Sequence, residues 1–394
     1  MKVLMVCTTC PVPSFGGASI RSSGWLRTLT GFAEVGLVTL TRCEREMEAL
    51  AEFETACAVV RGVAAPRTPA RKILDAVSAT VTATPYLVRS GWEQKLKDAV
   101  GDVLDRWRPD VVQAELLPAA PYLESARSRG VATVYSAHNV ESRIVKGPKS
   151  SWSGRLRARR MGRLEERVAR RVDAVVAVSE LEAAHFQRHA AHVCHVANAI
   201  ELDRYRYTPP SERTGQTLLF VGHLGYGPNA DAATTLVRRV FLEVRRELPK
   251  VVCVIAGAEP SHAVRALAGD GVEVIADPPD LTDLWSKATA LVCPLRWGAG
   301  SRIKILEAAA SGVPVVATRF SVEGLELEEG ADFRAGEGPS ELAASVVSLL
   351  RDVAAADEQA LRARKAVERT HSWPAMRPRM TELYESLVDH HRQK

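Results

Sequence analysis

The residues of this chain best typed and spaced for chemistry lie in 294–318, PLRWGAGSRIKILEAAASGVPVVAT. The segment reads as a strand end, a glycine loop, a helix stopped by Ser311-Gly312 and a second strand opened by Pro314. Gly298, Ala299 and Gly300 let backbone come close to a ligand, so the N–H groups of Ser301, Arg302 and Ile303 can point at an anion where the helix begins. Arg302 and Lys304 bring full positive charge to the same end. Glu307 comes one turn after Ile303 and is expected on an open face, an exposed carboxylate able to accept hydrogen bonds from the paired hydroxyls of a ribose. Read alone, a glycine loop before a helix serves equally as a plain strand-to-helix turn.

Such a loop needs a sheet edge to hold it. At 394 residues the chain is long enough for two domains. Short apolar runs (KVLMVC, GLVTL, DVVQAE, VATVYSA, DAVVAVS, HVCHVANAI) alternate with amphipathic stretches, which predicts an α/β fold with mostly parallel strands. The proline-rich, polar segment 208–216 then interrupts the pattern, and it restarts with TLLFVG, VVCVIAGA, VEVIAD, ALVCPL and PVVAT. The expectation is two doubly wound, Rossmann-like units, 1–207 and 217–376, joined by a linker at 208–216 and facing each other across a cleft. Ligands of such sheets bind at the carboxyl ends of the strands. A last helix, 377–394, is expected to pack back on the first unit.

The 294–318 segment resembles the donor-binding signature of glycosyltransferase family 4, usually E-G-x-G-x-x-x-x-E-A followed by a G-x-P-V-V strand. The resemblance implies a GT-B fold with an acceptor-binding N-terminal domain and a C-terminal domain for the nucleoside-diphosphate sugar. It also implies transfer with retention of configuration, without a bound metal or other cofactor. It assigns the ribose to Glu307, and the phosphates and hexose to the loop at Gly298, Gly300, Ser301 and Ile303. The first Glu of the signature is Ala299 here, so its hexose contact is missing, and the chain is closer to a branch reading G-x-G-[ST]-R-[LI]-K-x-L-E. The strand TLLFVGHLGYGPNAD is similar to the family's F-V-G-R-L-x-x-x-K-G: Gly222 matches, His223 stands at the Arg position, and no lysine follows before Arg238. Neutralising the diphosphate then falls to Arg302 and Lys304.

In the first half, Ser14-Phe15-Gly16-Gly17-Ala18 lies between the first strand and a helix expected from about Ser19. Such a turn can approach a phosphate or an acceptor, and it resembles the family's G-G loop, which adds Gly16 and Gly17 to the binding residues. In YSAHNVESR, His138 and Asn139 follow a strand directly. The family commonly places a His on the donor sugar at this point, so His138 joins Arg302 and Lys304 as a catalytic candidate, with Asn139 and Glu141 beside it. HVANAIELDRY resembles the family's P-N-G-[VI]-D segment, with Asn198 matching and Ala199 replacing Gly; HSWPAM resembles its S-W-e element, with Trp373 before the last helix. The resemblance runs in order over nearly the whole chain.

Composition narrows the classes. The chain is 46% hydrophobic and 25% charged, and a net charge of +5 over this length does not imply nucleic acid. No apolar run is long enough to span a bilayer, and the first apolar stretch suits a buried strand better than a signal peptide, so a cytoplasmic position is expected. Seven scattered cysteines make no disulfide framework; the Cys7-x-x-Cys10 pair lacks the second pair a zinc site needs and the helix a redox site needs. Between Arg155 and Arg171 eight arginines face Glu165 and Glu166 on a helical pattern whose stripe is Met161, Leu164, Val168 and Val172. Such a helix can touch anionic lipid weakly at a membrane surface, or it is a solvated face with its stripe in the core. A non-hydrolysing nucleotide-sugar epimerase, or a nucleotide-sugar-binding protein that has lost catalysis, would share this architecture. UDP, GDP, ADP and dTDP donors fit alike, as do natural-product, envelope-lipid and polysaccharide acceptors.

Overall fold

The computed structural model describes residues 1–13, 16–144, 152–298, 300 and 302–393. The chain falls into two compact units, one of Met1–Ala197 with Met376–Lys394, the other of Asn198–Gly298 with Arg302–Ala375.

The first unit is built on β1 (Lys2–Cys7), β2 (Glu34–Thr41), β3 (Val59–Ala64), β4 (Val111–Glu115), β5 (Ala132–Ala137), β6 (Ala174–Ala177) and β7 (Val193–His195), paired in the order β3-β2-β1-β4-β5-β6-β7. Every described pairing is parallel. The central strands are buried along nearly their whole length, which is why they read as continuous Val/Leu/Ala runs without alternation. The helices that position the features below are α1 (Gly17–Leu29), α2 (Pro69–Val81), the short α3 (Tyr86–Arg89) and α4 (Glu141–Ile144), and α5 (Trp152–Ala169). The chain leaves β1 toward β2 and β3 and returns to β4, so the ends of β1 and β4 flank a topological switch point.

The second unit repeats the plan with β8 (Thr217–Val221), β9 (Val252–Gly257), β10 (Val272–Ala276), β11 (Ala290–Cys293), β12 (Val315–Ala317) and β13 (Arg334–Ala335), ordered β10-β9-β8-β11-β12-β13. Its switch point lies between β8 and β11. Two helices start there, α6 (Gly227–Thr235) after β8 and α7 (Ile303–Ser311) after β11. Residues 208–216 belong to this unit: the Arg213 guanidinium donates to the carbonyls of Thr208 (2.8 Å), Trp285 (2.6 Å) and Ala288 (2.7 Å), and burial pushes its pKa down to about 10. The last helix, α8 (Trp373–Arg392), belongs to the first unit from Met376 onward. Its buried Tyr384 hydroxyl accepts from Trp25 Nε1 at 2.9 Å and donates to Gln113 Oε1, so its polar atom is satisfied inside the core.

Candidate active site

At the second switch point, α7 is surrounded by protein: Ile303 and every residue from Ile305 to Ser311 are buried. Glu307 is therefore not the exposed carboxylate its spacing suggested but only 7% exposed. A helix packed on all sides has no open face to receive it. Tyr205 Oη donates to Glu307 Oε1 at 2.8 Å. Burial pushes the Glu307 pKa up, against the lowering effects of the Tyr205 bond and the Lys304 charge. A carboxylate has roughly four acceptor positions, so Tyr205 leaves most of them for a ligand.

Arg302 occupies the N-cap of α7 at φ +53°, a left-handed conformation unusual for a side-chain-bearing residue, with its guanidinium 4.7 Å over the Phe320 ring. Lys304 turns inward. Its Nζ donates to Asn229 Oδ1 at 2.8 Å and lies 4.3 Å over the Phe220 ring, and no carboxylate pairs with it among the described residues. Burial, helped by the Arg302 charge, pushes its pKa below the usual lysine range. Gly222 makes room for this amine, because a Cβ there would come within 2.8 Å of Nζ. Gly298 has φ +106°, and a Cβ on it would meet Pro228 Cγ at 2.5 Å. Only glycine lets these loops after β8 and β11 come together. The first N–H groups of α7 lack intrahelical acceptors, so helix terminus, Arg302 and Lys304 put positive potential in one place.

The remaining candidates of this unit differ in character. His223 is 52% exposed in its side chain and faces Glu259 Oε2 at 3.5 Å. Gly300 is exposed at φ +149°. Ala299 and Ser301 lie outside the described residues. Tyr205 and Asn229, which complete the site, sit inside HVANAIELDRY and TLLFVGHLGYGPNAD, the peptides singled out for Asn198 and His223.

In the first unit, Gly16 is the N-cap of α1 and Gly17 its first residue, so the helix begins two residues before Ser19. The Ser19 hydroxyl donates to the Gly16 carbonyl at 2.9 Å. Ser14 and Phe15 lie outside the described residues. His138, 4% exposed, holds Glu115 Oε2 at 2.6 Å through Nε2. Glu115 ends β4 beside the switch point and also accepts from Ser22 Oγ at 3.1 Å and from the Gln113 amide. Burial works to raise the Glu115 carboxyl, but His138, Arg21 and Gln113 outweigh it and hold it below the ordinary range; burial pushes the His138 imidazole down against the raising effect of Glu115. The pair is thus a carboxylate and a neutral imidazole whose proton is on Nε2. Nδ1 remains a buried acceptor that no described residue satisfies. Asn139 hydrogen-bonds Glu141, whose carboxyl burial raises to about 7 with help from nearby Glu165. Cys7 and Cys10 are buried free thiols, and burial raises Cys10 to about 11. No cluster of three or more metal-ligating side chains occurs among the described residues.

Two family models match: "Glycosyl transferase 4-like domain" over residues 16–199 and "Glycosyl transferases group 1" over 215–352, which together take in most of the chain. A glycogen synthase of Mycobacterium tuberculosis is 26% identical over 409 aligned residues, covering 98% of this chain and 94% of that protein. Among solved structures, sucrose-phosphate synthase from Thermosynechococcus elongatus superposes with a TM-score of 0.75 at 16% identity, covering 99% of each chain. HepE of Anabaena, solved with UDP and glucose, gives 0.66 at 15% identity over 98% of this chain and 100% of that one. Two parallel-sheet units with these matches make the chain a glycosyltransferase of the GT-B fold, similar to family 4.

Proposed function

We propose that this glycosyltransferase takes a nucleoside-diphosphate sugar on the second unit and transfers the sugar with retention of configuration. The observation that carries the reading is Lys304: a lysine drawn inward beside a helix N-terminus, without a carboxylate partner among the described residues, is a site prepared for an anion. In this reading the diphosphate sits against the start of α7 and Lys304, Arg302 flanks it, and Glu307, held by Tyr205, receives the ribose hydroxyls. The glycine loop gives backbone contacts to phosphates and hexose, and on the first unit the buried His138 acceptor nitrogen is suited to a sugar hydroxyl. That HepE was solved with UDP and glucose supports this class of donor.

The chemistry follows from these charges. The bond from the anomeric carbon to the diphosphate oxygen breaks as the acceptor oxygen bonds to that carbon on the same face, and the acceptor's proton passes to the departing phosphate. Cations fixed before the reaction stabilise the charge that grows on the diphosphate. No protein carboxylate is needed as nucleophile in this step. The test is a thermal-shift screen of UDP-, GDP-, ADP- and dTDP-sugars, followed by incubation with the stabilising donor. Stabilisation by one nucleotide class with slow donor hydrolysis supports the proposal. Binding without any turnover would indicate a non-catalytic binder, and an epimerised donor would indicate an epimerase.

A further inference from the structure

Helix α2 is amphipathic in the inverse sense. Asp75 and Ala79 face the protein, and Asp75 is held there by Arg71 (3.2 Å) and Arg89 (4.0 Å). The opposite face carries Ile73 (65% exposed), Leu74, Val77 and Val81 (80% exposed), within about 100° of the helix circumference, and Tyr86 and Leu87 of α3 are exposed next in sequence. A helix that keeps its ion-paired side inward and four branched apolar side chains outward has a partner for that outer face.

The surrounding charge says which kind. From Thr55 to Trp92 the chain carries four arginines and one lysine against the buried Asp75, and of these Arg71 also pairs with Glu93 at 2.9 Å, so the stretch is basic on balance. On α5 and just beyond it, the eight arginines from Arg155 to Arg171 are all exposed, and among the described residues only Arg170 pairs with an acid, Glu166 at 3.6 Å. The α5 stripe itself is spent on the core, since Met161 and Val172 are buried and Leu164 and Val168 pack against it. Both elements lie on the strand-exit side of the same sheet. The segment after α3 reaches Tyr122 beyond β4, where the Tyr122 hydroxyl donates to the Gly91 carbonyl at 2.9 Å; Glu165 of α5 accepts from Glu141 N, just past β5, at 2.6 Å, and most of the helix precedes that point.

We propose that the outer face of α2 with Tyr86 and Leu87 seats this protein on an anionic phospholipid surface, with the arginines of α5 supplying the electrostatic attraction. A shallow apolar insertion with cations on the same side of the sheet suits a bilayer of negative headgroups. A second copy of the chain would bring two basic surfaces together. The proposal does not depend on the identity of donor or acceptor. The test is co-sedimentation of the full chain with phosphatidylcholine vesicles, with and without phosphatidylglycerol, alongside a Val77→Gln/Val81→Gln variant whose melting temperature is checked. The parent should pellet with the anionic vesicles and not the neutral ones, and lose binding as salt rises. The double variant should bind about tenfold more weakly with its melting temperature unchanged. No pelleting, equal pelleting with both vesicles, or an unweakened double variant overturns the proposal. So does a dimer of the parent in solution that the double variant dissolves, since the face would then belong to a second copy.

Discussion

Replacing Lys304 with Met keeps the unbranched stem over Phe220 and removes only the charge and the bond to Asn229. A unit charge about 4 Å from a phosphate oxygen, at the effective dielectric of a partly buried site, is worth on the order of 4 kcal/mol. Part of that is present in the bound ground state. The part that grows as the diphosphate departs resembles loss of one preorganised oxyanion donor, about 2.7–4 kcal/mol or roughly 10²–10³ in kcat. Lys304→Met should therefore lose about two to three orders of magnitude in kcat while diphosphate affinity falls only about tenfold. Stability should move the other way. Burial lowers the Lys304 pKa, so the folded state disfavours its charge and the variant is expected to melt at or above the parent's temperature. Steady-state kinetics with the stabilising donor, product-inhibition constants for the diphosphate and thermal melts decide it. A variant with normal kcat, beside a His223→Ala variant that is crippled, would show that the phosphate contact stayed on the loop after β8 and that the reasoning is wrong.

Glu307→Gln keeps a partner for Tyr205 and removes a buried charge, so it should be no less stable than the parent while losing about 1.5–3 kcal/mol of nucleotide affinity by calorimetry; unchanged affinity would make Glu307 a packing residue. Because burial lowers the His138 pKa from 6.5, neutral imidazole persists until the pH falls below that value, and the acid limb of kcat/KM should lie below it. Glu115→Gln removes the carboxylate that raises the imidazole, so the limb should move further acid; a limb shifted upward contradicts the assigned protonation. Glu182, raised by burial from 4.5 to about 7, contributes stability fully below pH 4.5 that is lost as pH rises through 7. Glu182→Gln should therefore stabilise the chain on the order of 1–3 kcal/mol at pH 8 and very little at pH 4.5, measured by denaturant titration at both.

What the sequence revealed was what is local. Eleven of the thirteen strands, from KVLMVC to PVVAT, stand out because parallel strands covered on both faces are unbroken apolar runs. β3 was missed because the edge strand VVRGVA is interrupted by Arg61 and Gly62, and β13 is only two residues long. The glycine loop and the start of α7 are contiguous and could be read as a unit. Tyr205, Asn229 and Glu115 reach their partners across 102, 75 and 23 residues, a distance no periodicity encodes. A local signal did exist for one of them: Gln113 and Glu115 are polar residues at the end of a strand whose every position is buried, which marks a group held there by partners. Glu307 was misjudged because spacing from Ile303 gives a shared face of α7 but not what packs on it.

The most direct measurement of the central claim is calorimetric titration of UDP, GDP, ADP and dTDP into the parent, Lys304→Met and Glu307→Gln proteins in excess EDTA. The account predicts that one diphosphate binds the parent without any divalent ion and that both variants bind it more weakly, Glu307→Gln by about 1.5–3 kcal/mol. Binding that appears only when a divalent ion is restored, or that both variants retain at full strength, would contradict it.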